Sequence, residues 1–100
     1  MSMLQPSTPS DDCTTANSPV VIAAFPALLH SVTLFSAAAA TTAIFYDNAT
    51  AGSGKVLARL AAPIGISISQ AFPSALIANE GITVAVTGTG GIANAGFSKE

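Results

Sequence analysis

The chain has 100 residues, of which 50% are hydrophobic and only 8% are charged. Ordinary soluble domains carry about 25% charged residues, so this composition is unusual. Its three basic residues, Lys55, Arg59 and Lys99, cannot neutralise a run of phosphates, which excludes a nucleic-acid binder of the usual kind.

Reactive side chains are equally scarce. One Cys excludes an internal disulfide framework, and one Cys, one His and five scattered carboxylates nearly exclude a metal site. We therefore predict no catalytic, cofactor-binding or metal-binding residues, and we expect that the protein is not an enzyme.

Residues 1–19 form a distinct segment, which is rich in Pro, Ser and Thr and has no basic residue. Such a composition predicts a flexible or extended N-terminal arm, either a disordered tail or an arm that orders on a partner. Asp11 and Asp12 place the whole net charge of −2 in this arm, because residues 20–100 balance three bases against three acids. Cys13 is either a reactive thiol or, more ordinarily, a free cysteine in a reducing compartment.

Residues 20–46 are apolar enough to require a test as a membrane helix. Pro26 and His30 interrupt the stretch, several Ser and Thr residues dilute it, and no Lys or Arg flanks it. These features favour strands, although a small membrane protein spanning with residues 20–46 stays as an alternative.

Two strands are predicted within this stretch. In residues 28–35 aliphatic and small polar residues alternate, and the alternation places His30 on the face of Val32 and Leu34. Residues 42–46 form the next strand, and the Ala run at 37–40 connects the two as a turn.

A Gly/Ser loop over 47–54 precedes a strand at 55–60. Alternation directs Lys55, Leu57 and Arg59 outward and directs Val56 and Leu60 to the core. Residues 64–69 alternate strictly, which predicts that Ile64, Ile66 and Ile68 face the core.

The remainder predicts short strands separated by tight turns. Residues 76–78 form a short strand or bridge, and residues 79–81 form a turn. Residues 82–87 form a strand whose Ile82, Val84 and Val86 face the core. Residues 88–91 form the next turn, and residues 92–97 form the last strand. Six to seven short strands predict an all-β fold: a single antiparallel β-sandwich or barrel-like domain over 20–100, with the extended arm over 1–19.

Several short motifs have ordinary structural explanations. Gly52, Ser53, Gly54 and Lys55 lack the first glycine and the final Ser or Thr of a phosphate-binding loop, so a hairpin loop is favoured. Gly88–Gly91 has no βαβ context, and the sequon at Asn48 is a match of three residues only. His30, Ser31 and Asp47 could be read as catalytic, but a strand histidine at an interface or edge is favoured.

The order of elements resembles that of small bacteriophage capsid decoration proteins, also called cement proteins. The resemblance covers residues 28–90 and is carried by LHSVTL at 29–34, IFYDN at 44–48, VLARL at 56–60 and NEGITVAVTGTG at 79–90. It lies in strand pattern and turn residues, which phage tail and fibre modules share.

The resemblance implies a structural virion protein that binds the outside of the phage head and stabilises contacts between capsomers. Its implied partners are the major capsid protein and further copies of itself, as a dimer or trimer, with no nucleic acid or membrane. The implied location is the capsid surface, after assembly in the host cytoplasm. A phage tail or fibre structural module is the nearest alternative.

Overall fold

A computed structural model describes residues 8–9, 13–14, 18–36 and 38–99. All regular structure in these residues is β-strand, which confirms the all-β prediction. The strands are β1 (Thr8–Pro9), β2 (Cys13–Thr14), β3 (Val20–Ala23), β4 (Ala27–Ser36), β5 (Thr41–Asp47), β6 (Lys55–Ala62), β7 (Ser67–Ala78), β8 (Ile82–Thr87) and β9 (Gly91–Lys99).

The strands form two antiparallel sheets. The first has the order β1-β9-β4-β7, and β2 also pairs with β9. The second has the order β3-β8-β5-β6. One cluster of buried side chains fills the space between the sheets, with Phe45, Leu29 and Leu34 the largest fully buried members. Hydrophobic burial on the facing sides of both sheets therefore holds them together.

Most strand predictions are confirmed. The predicted strands at 28–35, 42–46, 55–60, 82–87 and 92–97 lie within β4, β5, β6, β8 and β9. Ile82, Val84 and Val86 are buried as predicted. The predicted count of six to seven strands is too low for the described residues, because β1 and β2 of the predicted arm also pair.

The predicted facing of His30 is wrong. Against β9, the register of β4 shifts by one between Leu29 and Ser31, so His30 is the extra residue of a β-bulge. Against β7 the register also shifts here, but the extra residues belong to β7. The bulge resets the alternation, which allows Leu29 and Val32 both to enter the core. Because β4 lies between β9 and β7, His30 is also not on an edge strand.

The predicted facing of Val56 and Leu57 is wrong for the same reason. Phe45 pairs with Ala58 and Tyr46 pairs with Val56, so Leu57 is the extra residue of a bulge. Leu57 packs against the core, whereas Val56 is exposed. Leu60, beyond the bulge, is buried as predicted.

The first half of the strand predicted at 64–69 is a turn, and its two isoleucines are not in the core. Ile64 and Ile66 are exposed in the connection between β6 and β7, and only Ile68 packs against the core. The chain turns here because Gly65 has a φ of +76° and the Ile66 N–H donates to the Pro63 carbonyl at 3.1 Å. The strictly alternating segment 64–69 therefore begins outside the sheet, because its pairing with β4 starts only at Ser67.

The strand predicted over 64–69 continues to Ala78. β7 is an edge strand, where a proline removes no ladder hydrogen bond, and its register against β4 shifts between Ala71 and Leu76. The predicted short strand at 76–78 is therefore the second half of β7.

The described part of the predicted arm is extended. Thr8 pairs with Phe97, and Cys13 pairs with Ala93, so this part of the arm lies along β9. Cys13 is fully buried in the core. Residues 1–7, 10–12 and 15–17 of the predicted arm, Ala37 and Glu100 lie outside the described residues.

Residues 20–46, the alternative membrane segment, contribute β3, β4 and most of β5. Among the described residues there is no helix with the length and apolar character needed to cross a membrane.

Candidate interaction surface

The antiparallel topology places alternate connections at opposite ends of the two sheets. The β4–β5, β6–β7 and β8–β9 connections share one end, because Ser36 pairs with Gly91, Thr41 pairs with Ala62 and Thr42 pairs with Thr87. We call this end, residues 38–40, 63–66 and 88–90, the uncharged end. None of these residues is Asp, Glu, Lys or Arg.

The opposite end collects nearly all the charge of the described residues. Asp47 pairs with Lys55 at the start of β6, and Glu80 and Lys99 lie beside it in the β7–β8 turn and at the end of β9. The Lys99 ammonium lies 5.6 Å from the centre of the Phe25 ring, a distance that suits a cation–π contact. Only Arg59 of the described charged residues lies away from this charged end, in the middle of β6.

Large apolar side chains are exposed at the uncharged end. Ile64 is 61% exposed and Ile66 is 46% exposed, and Phe35, at the end of β4, is 40% exposed. A shallow open depression lies on the same end, lined by Ala40, Thr41, Thr42, Ala61, Ala62 and Pro63. The uncharged end therefore offers both apolar projections and an apolar recess.

Hydrogen bonds hold these isoleucines in place. The Gly65 N–H donates to the Ser36 carbonyl at 2.8 Å, and the Ser36 N–H donates to the Ile66 carbonyl at 3.1 Å. The Ser36 hydroxyl donates to the Ala39 carbonyl in the neighbouring connection. Ser36 thus joins two connections of the uncharged end, so the exposed side chains are presented by a bonded framework.

Gly88 makes the third connection fit closely. Its φ is +100°, and a Cβ atom there would lie 2.4 Å from the Ala40 carbonyl oxygen. Only glycine permits this backbone conformation and this approach together. The β8–β9 connection therefore packs directly on the β4–β5 connection.

His30 and Asp47, considered with Ser31 as a catalytic set, each bond to other groups. The His30 Nε2 atom shares a hydrogen bond of 2.7 Å with the Ser98 hydroxyl, and Ser98 is buried. Sequence reasoning missed Ser98, because only the bulge at His30 and the register of β9 bring the two together. The carboxylate of Asp47 is engaged by the backbone N–H groups of Asn79 and Glu80.

Asp47 has a structural electrostatic role at the charged end. Burial opposes ionisation of its carboxyl, but the N–H groups of Glu80, Asn79 and Gly81 and the positive charge of Lys55 outweigh burial and hold its pKa below the usual value. The ionised carboxylate therefore fastens the β7–β8 turn to the end of β5.

The Gly/Ser segment at 52–54 belongs to a hairpin loop, as predicted. β6, a strand and not a helix, follows it. The Asn48 side chain organises the loop, because its Oδ1 atom accepts from the Thr50 and Ala51 N–H groups at 2.8 and 2.9 Å. The sequon asparagine therefore stabilises the turn.

Cys13 lies in the core, and this burial raises the pKa of its thiol despite opposing hydrogen bonds from Ser18 and Val20. A high pKa and lack of exposure both disfavour a reactive thiolate. Within the described ranges, no three His, Cys, Asp or Glu side chains lie close enough together to hold a metal ion.

Comparisons with known proteins found no relative of the chain. No family model matches the chain, and no curated protein and no solved structure matches it.

Proposed function

We propose that the chain is a β-sandwich structural protein of a bacteriophage virion, a capsid decoration protein that binds the outside of the head. In this role its partners are the major capsid protein and further copies of itself. It stabilises contacts between capsomers and contains no catalytic centre. It joins the capsid surface after assembly in the host cytoplasm.

One observation carries the proposal: the exposed apolar side chains of the uncharged end. Isolated exposed apolar residues are common, but Phe35, Ile64 and Ile66 lie together on an end with no charged side chain. Full burial of an isoleucine contributes about 1.5–3 kcal/mol. Because these side chains are already partly buried, each would contribute roughly 1 kcal/mol on docking.

The absence of charge also favours docking on a protein. Burial of a charged group without a partner costs roughly several kcal/mol. Ala, Gly and Ile, in contrast, lose little hydration free energy when docking buries them. A shell presents many identical sites, and an oligomer that engages several of them at once gains avidity, so modest affinity for each site is sufficient.

The experiment is co-sedimentation of purified protein with empty heads assembled from the major capsid protein of the same genome. Ile64→Ser is the test variant and Ile77→Ser is its matched control, since Ile77 is 55% exposed and lies near the charged end. We expect the control to bind as the wild type does and Ile64→Ser to bind about fivefold more weakly, the equivalent of roughly 1 kcal/mol.

The same experiment separates the competing assignments. No binding of the wild-type protein to heads would refute the decoration role. Particle images that place the protein on the tail or on a fibre would select the tail or fibre alternative instead.

A further inference from the structure

β7 is the longest strand of the fold and lies at an edge of the first sheet. It extends from Ser67 to Ala78, and in the described part of the chain it pairs with β4 alone. An edge strand leaves N–H and C=O groups free to pair with another strand. No residue of β7 is charged.

The other edges are protected by devices that discourage pairing. β6 carries Lys55, Arg59 and a bulge at Leu57, and β3 has only four residues and an irregular register. The far side of β9 is covered by β1 and β2. β7 has such protection only in its second half, where Pro73 and the register shift lie.

The first half of β7 is regular. Residues 67–71 pair in unbroken register with residues 31–35 of β4. Ile68 and Phe72 face the core but remain partly exposed, and Ile66 is exposed just before the strand begins. The core is therefore incompletely covered along this edge.

We infer that two copies of the chain associate through antiparallel pairing of this half of β7, about a two-fold axis at Ser69. Identical antiparallel strands are self-complementary about such an axis. Because the strand has no charged residue, the pairing places no like charges opposite each other. The register places Ile68 of one copy opposite Gln70 of its partner, on the same face, so the partly exposed Ile68 gains cover from the partner strand.

This contact specifies the self-association that belongs to the proposed function, and it forms in solution without a shell. Its test is therefore independent of head binding. The first sheet of one copy continues into the first sheet of the other, while the charged ends remain in water.

The experiment is sedimentation equilibrium of the full chain over a range of concentrations. We expect a dimer of twice the 9.9 kDa chain mass. Ser69→Lys places like charges opposite each other and is expected to weaken dimerisation by at least about tenfold. Ser53→Lys, in the exposed 48–54 loop, is the matched control and should dimerise as the wild type does. Circular dichroism and thermal unfolding check that each variant is folded.

A charge-reversal mixture tests the register itself. Ser69→Glu alone should also be monomeric, but an equal mixture of Ser69→Lys and Ser69→Glu should recover the dimer. A monomeric wild type, equal dimerisation of Ser69→Lys and Ser53→Lys, or a mixture that stays monomeric would each overturn the inference. A Ser69→Lys variant that is monomeric but still binds heads would support the inferred dimer contact as separate from the head-binding surface. Failure of the dimeric wild type to bind heads would count only against the decoration role.

Discussion

The backbone N–H of Glu80 donates a hydrogen bond of 2.8 Å to the carboxylate of Asp47. Asn79 donates a second bond of 3.1 Å to the same carboxylate. The end of β5 and the β7–β8 turn are thereby joined at the charged end through one ionised side chain. A protein whose surface is nearly devoid of charge thus uses one of its few carboxylates inside the structure.

Acid should destabilise the protein through Asp47. Its pKa is lowered in the folded state, so its contribution is fully present above the unfolded value of about 3.9 and is lost as the pH falls through that value toward the folded pKa. We expect the free energy of unfolding, measured by urea denaturation, to decrease from about pH 5 downward.

Asp47→Asn isolates this contribution. At pH 7 the variant should lose about 1–3 kcal/mol, because the amide replaces a charged acceptor, and its stability should depend less on pH than that of the wild type. Glu80→Gln is the control, since it preserves the backbone donor and should retain the wild-type acid dependence. Equal acid dependence in Asp47→Asn and wild type would refute this role.

Gly81 should tolerate no side chain. A Cβ atom there would lie 2.3 Å from the Ala23 carbonyl oxygen and 2.9 Å from the Ala49 Cα, both in the backbone. Gly81→Ala is therefore expected to reduce the free energy of unfolding by about 2 kcal/mol or more. Gly65→Ala is the comparison: Gly65 has a φ of +76° but nothing within 4 Å, so only conformational strain of about 1 kcal/mol is expected. Equal losses in the two variants would contradict the close approach at Gly81.

Local sequence pattern predicts where most strands occur, but not which way their residues face. β-Branched and aromatic residues identify β4, β5 and β8 correctly, because those side chains suit a pleated, half-buried surface. The bulges at His30 and Leu57 interrupt the alternation of β4 and β6, and each is defined by the partner strand as much as by the strand itself. Alternation within one segment contains no information about its partner.

The candidate surface escapes prediction for a related reason. Ile64 and Ile66 alternate as a core strand would, yet Gly65 and the preceding Pro63 permit a turn, and that turn exposes both. The division into charged and uncharged ends is nevertheless present in the sequence. Lys55 and Glu80 adjoin alternate connections, which antiparallel strands bring to the same end.

The protein should be more stable with valine in place of Thr41. Its hydroxyl is buried and has no hydrogen-bond partner among the described residues. A buried unpaired polar group costs about 1–3 kcal/mol, so Thr41→Val should raise the free energy of unfolding by about 1 kcal/mol. Thr42→Val, on the opposite face of β5, is the control and should change stability little. A destabilised Thr41→Val would mean that the hydroxyl is bonded in solution.

Cys13 reports on the docking of β2 against β9. Its thiol is fully buried, and its pKa is raised by burial, so the folded protein should react slowly with a disulfide reagent at pH 8. A Ser53→Cys variant adds an exposed thiol to the same molecule as an internal standard. We expect one fast and one slow thiol, with rates that differ at least about a hundredfold, because the slow reaction requires local opening of a few kcal/mol.

Denaturing urea should bring the two rates together, because unfolding exposes both thiols. If Cys13 reacts as fast as the introduced thiol in the folded variant, β2 is not held in the core. Equal rates in the native protein, with the remaining strands still folded by circular dichroism, would show that β2 is detached from an otherwise folded domain. Slow reaction, in contrast, would mean that β2 belongs to the folded unit, because Cys13 completes the core between β8 and β9.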